Sequence, residues 1–219
     1  MGFILNIETA TKNCSVSLAK NGKVTAIREF ASEGYSHAEK LHVFMQEVLE
    51  ETNSAFKDLE AIAVSMGPGS YTGLRIGVSA AKGLCYALNL PLIAIDTLEL
   101  LARKIQITEG SIIPMIDARR MEVYSAVFDT NYSKIIDTKA EIITEESFLE
   151  YEGICHLVGD GAEKCKEILS NDRFVYHDNI IYPSSREMAA LSYDKQQKSD
   201  TVDVAYFEPF YLKDFVMNR

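Results

Sequence analysis

The sequence predicts an α/β protein of two lobes, each running β-β-β-α-β-α. Three observations predict it. Short apolar or alternating runs bounded by turn residues recur along the chain, interleaved with segments of helical period. A strand, a tight glycine loop and a helix follow one another over residues 61–89. The order of elements in the first half then returns in the second, without any repeat of the residues themselves.

The first half opens with a strand at 3–8 and a second at 14–18, joined by Ala10-Thr11-Lys12-Asn13. Asn21-Gly22 is a hairpin signal and leads into a third strand at 23–30. Ser36-His37-Ala38-Glu39 has the form of a capping box, and Leu41, Phe44, Met45, Val48 and Leu49 make the apolar stripe of the helix it opens. Ala61 to Ser65 is a buried strand. Gly67-Pro68-Gly69 turns the chain sharply, and Ser70 or Thr72 caps a helix reaching about Asn89. A strand at 92–96 and a helix from Leu98 to about Ile107 complete the half.

In the second half, 111–117, 122–129 and 134–138 read as strands, and 145–151 as a helix. A strand at 156–158 ends at Gly159-Asp160-Gly161, followed by a helix at 162–169 and a strand at 174–176. Ser184-Ser185-Arg186-Glu187 is a second capping box and starts a helix to about Lys195. The boundary is expected at 106–110, giving lobes 1–106 and 107–219, with the last residues packing back on the first lobe.

Composition narrows the function. The 219 residues are 47% hydrophobic and 25% charged, ordinary for a globular protein with ample core. The net charge of −10 argues against holding RNA by phosphate neutralisation unaided; a basic partner or a local basic patch would have to do that. Cys14, Cys85, Cys155 and Cys165 show no C-x-x-C spacing, no signal peptide is read at the start, and no apolar run approaches membrane-spanning length. Reduced thiols in a cytoplasmic protein are expected.

The residues offer several chemistries. Glu8 and Asp117 end the first strand of each half, where carboxylates serve either a turn or a magnesium ion. Gly67 and Gly69 make a candidate anion loop ahead of a helix, with a plain turn as the alternative. Glu8-Thr9, Asp117 and Gly159-Asp160-Gly161 resemble the phosphate and adenosine loops of the sugar-kinase superfamily, which would make them candidate vestigial nucleotide loops, again with plain turns as the alternative. His37 and His42 lie five residues apart, about 140° around a helix of 3.6 residues per turn, so they do not grip one ion together. His156 and His177 have no evident partner in sequence, and no metal site is predicted. No G-x-S-x-G is present, and Ser70 reads as a cap, so no catalytic nucleophile is assigned. Gly73 and Gly77 lie four apart on one helix face with Ala80, Ala81, Leu84 and Leu88. Glycine inside a helix costs about 1 kcal/mol relative to alanine, so something must approach that backbone closely: a partner, or the protein's own sheet.

The glycine-loop stretch Ser65-Met66-Gly67-Pro68-Gly69-Ser70-Tyr71-Thr72-Gly73-Leu74-Arg75-Ile76-Gly77 resembles the TsaB family of the bacterial tRNA threonylcarbamoyladenosine machinery. Ile4-Leu5-Asn6-Ile7-Glu8-Thr9-Ala10-Thr11, Asp117-Ala118-Arg119-Arg120-Met121-Glu122-Val123-Tyr124, Gly159-Asp160-Gly161-Ala162 and Pro209-Phe210-Tyr211-Leu212 agree with it in order. The resemblance implies the two-lobed actin, Hsp70 and sugar-kinase (ASKHA) fold. It implies a non-catalytic, cytoplasmic subunit that binds and activates TsaD. TsaD would transfer a threonylcarbamoyl group to N6 of adenosine 37 in tRNAs reading codons that begin with A.

By the same resemblance the chain forms a heterodimer with TsaD, is joined by TsaE, pairs with itself when alone, and meets tRNA only through the complex. No cofactor of its own is implied, although weak or shared ATP or ADP binding at the complex interface is compatible with it. The two helices would pair with the same two from TsaD. His37, Leu41, Met45, Gly73, Leu74, Gly77 and Ala81 are the candidate interface; periodicity leaves open which face of each helix covers its own sheet. TsaD binds metal through an H-x-x-x-H motif after the strand matching 92–95, where this chain has Thr97 and Leu101, neither a metal ligand of that kind. The alternatives are a sugar-kinase-type phosphotransferase or ATPase and, more weakly, a metallopeptidase.

Overall fold

In the computed structural model, which describes residues 2–32 and 37–213, the chain runs through β1 (Phe3–Glu8), β2 (Asn13–Lys20), β3 (Lys23–Ala31), α1 (His37–Glu51), β4 (Leu59–Gly67), α2 (Tyr71–Leu88), β5 (Leu92–Asp96) and α3 (Thr97–Ala102). It continues through β6 (Ser111–Asp117), β7 (Glu122–Phe128), β8 (Lys134–Ile142), β9 (Cys155–Val158), β10 (Phe174–Tyr176) and α4 (Ser185–Gln197). The capping box at Ser36 lies outside the described residues. Contacts divide the chain into one unit of Met1–Thr97 with Pro183–Phe210 and a second of Leu98–Tyr182 with Tyr211–Arg219. The break thus falls at 97/98, short of the expected 106–110, because Leu98, Leu101, Ala102 and Ile105 pack into the second unit's core with Ile112 and Phe128.

The first unit is built on a five-stranded sheet of order β3-β2-β1-β4-β5. β1 pairs antiparallel with β2 and parallel with β4. One face carries α1 and α2, whose apolar stripes close a core with Leu5, Ile7, Val16, Ile62 and Val64. Strand alternation turns Asn6, Ser15 and Ser17 to the other face, beneath α4. There Ser17 Oγ donates to Ser185 O (2.8 Å), Ser15 and Ser185 hydroxyls meet at 2.8 Å, and Asn13 Nδ2 donates to Pro183 O (3.0 Å). A helix near the end of the chain is thereby tied to the first strands by buried hydroxyls, each bond worth about 1 kcal/mol net.

The second unit has a sheet of order β10-β9-β6-β7-β8. Its two expected helices do not form. Residues 145–151 make successive turns, and Phe148, at φ 65°, sits in the left-handed region that ends a helix while its ring enters the core. Over 162–169 only Glu163–Cys165 is helical, a 3₁₀ turn closed by Cys165 N donating to Ala162 O (3.0 Å). The last helix, α4, belongs to the first unit, so the second lobe lacks the full β-β-β-α-β-α complement. Among the described residues no helix is long and apolar enough to cross a membrane.

Candidate functional site

The glycine-rich segment between β4 and α2 is where sequence and structure concentrate. Ser70 caps α2 by accepting from Gly73 N, as its position predicts. The glycines, however, make room for the protein's own β1–β2 loop. A Cβ at Gly69 would strike Ala10 O, one at Gly73 would strike Thr9 O, and one at Gly77 would strike Thr9 Oγ1. Thr9 Oγ1 donates to Gly73 O at 2.7 Å, Ser70 N to Ala10 O at 2.7 Å, and Ala10 N to Glu8 Oε1 at 2.6 Å. Gly67, at φ 113°, donates to Thr97 Oγ1 (3.1 Å), and a Cβ there would strike Phe210 O. Of the donors in these loops, Gly67 N, Ser70 N and Ala10 N are engaged within the unit.

This corrects the assignment of helix faces. His37, Leu41, Met45, Gly73, Leu74, Gly77 and Ala81 are all buried in the first unit. Leu41, Met45 and Ala81 belong to its core, and His37 Nε2 donates to Thr11 O at 2.7 Å. Burial, against the opposing effect of that bond, holds the His37 imidazole below its usual pKa. The other faces are open. On α1, His42, Val43, Gln46 and Glu50 are exposed; on α2, Thr72, Arg75, Ser79, Gly83 and Tyr86 are. Tyr86 is 87% exposed and Val43 48%. Among the described residues nothing stands within 4 Å of where a Gly83 Cβ would be, so its absence of a side chain answers no contact among them.

Thr97 is buried as the acceptor for Gly67, and Leu101 is buried in the second unit's core. The two positions compared with the metal motif are thus both packing positions. Burial also keeps thiols inert, holding Cys14 and Cys85 up at about 12 and Cys165 at about 11.

In the second unit, Gly159 N donates to Ile180 O (2.8 Å) and Gly161 N to Met115 O (3.0 Å). Asp160 Oδ1 accepts from Asp117 N (3.0 Å), and Asp117 is ion-paired to Lys164. Asp117 Oδ1 also accepts from Arg119 N at 2.9 Å in the β6–β7 hairpin. Arg119 (φ 71°) and Arg120 (φ 53°) are both left-handed and both exposed. That conformation costs L-residues about 1–2 kcal/mol each.

His156 and His177, which sequence left without partners, meet through the parallel register of β9 and β10, with Nδ1 and Nε2 3.0 Å apart. Their ring centroids are 5.3 Å apart, about one ring diameter more, so the nitrogens lie on the line joining the rings. A shared metal needs both lone pairs turned to a third point about 2.1 Å from each nitrogen; here one nitrogen donates to the other. Among the described residues no group of three metal-ligating side chains occurs. Burial first, then His156, lowers the His177 pKa, against the pull of Asp178. The unfolded chain, with an ordinary histidine near 6.5, then binds more protons below about pH 6.5. Melting temperature is therefore expected to fall on acidification from about pH 6.5 downward, and His177→Gln to remove part of that fall in a melting series against pH.

The two five-stranded sheets, with a first strand flanked by an antiparallel and a parallel neighbour and turns at the strand ends, define a member of the actin-like and sugar-kinase fold class. A model of the family described as TsaD, tRNA N6-adenosine threonylcarbamoyltransferase, matches residues 29–207. The tRNA threonylcarbamoyladenosine biosynthesis protein TsaB of Escherichia coli K12 is 31% identical over 97% of this chain and 95% of its own length. A tRNA N6-adenosine threonylcarbamoyltransferase of Bacillus thuringiensis is 36% identical over 42% of this chain and 32% of its own. Among solved structures, YeaZ from Pseudomonas aeruginosa superposes with a TM-score of 0.83 at 23% identity, over 97% of this chain and 100% of that one. The chain belongs to the TsaB family of tRNA threonylcarbamoyladenosine biosynthesis proteins.

Proposed function

We propose that this chain is a non-catalytic subunit that binds TsaD through the exposed faces of α1 and α2 and favours its active arrangement. The observation that carries the reading is the outward face of α2, where Gly83 bares the backbone beside the exposed Tyr86, with Val43 exposed on neighbouring α1. A partner that buries this face stabilises the bound state by mass action. TsaE joins the assembly, and without TsaD two copies of this face pair about a two-fold axis. The assembly rather than this acidic chain supplies most of the hold on tRNA. Gly67 N, Ser70 N, Gly159 N and Gly161 N in the loops that would seat a nucleotide are engaged internally, which supports a chain with no nucleotide of its own.

The test is purification of the tagged chain from native lysate, with threonylcarbamoyladenosine in bulk tRNA scored after depletion. TsaD is expected to come with the chain, and the modification to fall when it is removed. Calorimetry of the isolated chain with ATP and magnesium is expected to give no binding. Tight binding with turnover, lost in Glu8→Ala and Asp117→Ala, would overturn the reading.

A further inference from the structure

We propose that the β6–β7 hairpin tip is a phosphate-contacting site, in which Arg119 and Arg120 each engage the tRNA backbone. The inference rests on the tRNA-modification setting of the family and goes beyond it by giving this acidic subunit a direct contact.

The backbone carries the first part of the argument. Two successive left-handed residues are ordinarily Asn and Gly. This chain uses Asn at other such places: Asn21, Asn53 and Asn89 all have positive φ. The bulky exceptions elsewhere have visible reasons. Phe148 puts its ring in the core, and Tyr132 donates its hydroxyl to Ile105 O at 2.8 Å. Arg119 and Arg120 have no such reason. Both are exposed, and among the described residues neither guanidinium has a hydrogen bond or ion pair.

Charge carries the second part. Arg28 pairs with Glu47 and Glu51, Arg103 with Glu99, Arg75 lies over the Tyr71 ring, and Arg173 donates to Tyr151 O; Arg186 is exposed like the hairpin pair, but stands alone on α4. The acids around the hairpin are already engaged. Asp117 is ion-paired to Lys164, Glu122 to Lys213, and Asp160 accepts from Asp117 N. In a chain of net charge −10, two adjacent unpaired guanidinium forks are thus held out on a short, hydrogen-bonded turn. Arginine forks match the two oxygens of a phosphate. Two of the hairpin amides are spent within the turn: Ala118 N donates to Glu122 O (3.1 Å) and Arg119 N to Asp117 Oδ1 (2.9 Å). A strand of phosphates passing the tip fits better than a single bound nucleotide.

The experiment compares the wild type with Arg119→Asn/Arg120→Gly, co-expressed with TsaD. The substitution relieves the left-handed strain, so the isolated variant is expected to melt above the wild type. The complex is expected to bind tRNA about tenfold more weakly at 0.1 M salt, with log K against log salt shallower by about 2. Arg119→Lys/Arg120→Lys is expected to keep most of that slope. Unchanged tRNA affinity and slope would overturn the proposal. So would loss of TsaD co-purification in the double variant, which would assign the arginines to protein carboxylates. Changed affinity for ATP with tRNA binding intact would overturn it in favour of a free nucleotide. Titration of the isolated chain with tRNA at low salt makes the same comparison without TsaD, so the fate of the hairpin is separable from that of the proposed complex.

Discussion

Replacing Gly77 by leucine is expected to destabilise the first unit strongly. The new Cβ would fall on Thr9 Oγ1, which is buried and donates to Gly73 O one turn earlier in the same helix. Neither side has room to give. The helix is pinned by Leu74, Val78 and Ala81 in the core, and Ser70 N holds the Thr9 loop through Ala10 O. Overpacking alone costs about 1–3 kcal/mol, and a buried hydroxyl bond broken without replacement adds about 1–3. That sum takes a large share of a stability of about 5–15 kcal/mol. Urea or thermal melting is expected to show a midpoint lowered by 10 °C or more, or insoluble protein, with Gly77→Ala in between. A wild-type midpoint combined with loss of TsaD would mean that the glycine faces a partner after all.

Gly83→Leu should do the reverse. Among the described residues nothing stands within 4 Å of its Cβ position, and the residue is exposed within α2. The change removes a helix-interior glycine, a gain of about 0.7–1 kcal/mol, which raises the melting midpoint by about 2–4 °C for a protein of this size. The same leucine would stand on the outward ridge beside Tyr86, in the space proposed for a facing helix. Co-purification with TsaD is expected to be lost from a protein that is, alone, more stable than its parent. Retained binding would remove this face from the proposal.

These two glycines also show what a sequence can and cannot carry. Periodicity located the helix, and a cap at Ser70 or Thr72 was legible because a short polar side chain preceding an apolar repeat commonly serves as one; the structure places it at Ser70. The presence of glycines was legible as close approach. What approaches was not, because Thr9, which bonds Gly73 from 64 residues earlier, lies in a loop whose position depends on the pairing of β1 with β4. The interface residues were therefore drawn from the inward face. His156 and His177 escaped for a related reason: they are 21 residues apart, and only strand register joins them. The missing helices of the second unit reflect local overrides, a left-handed Phe148 in one and a 3₁₀ turn in the other. Arg119 and Arg120 were visible as a motif, but their conformation was not, since nothing in an Arg-Arg pair announces two positive φ angles.

The α4 connection sets an order on biosynthesis. Ser15 waits for Ser185, 170 positions later, and at about 5–20 residues per second that interval is roughly 10–30 s of ribosome travel. Until then the serine-lined side of the first sheet is uncovered, while residues 98–182, emerging as one continuous stretch, hold all five strands of the second sheet. The N-terminal half of this polypeptide is thus the last to mature. A ribosome stalled before the codon for Ser185 would carry a nascent chain whose later-made portion is the better formed.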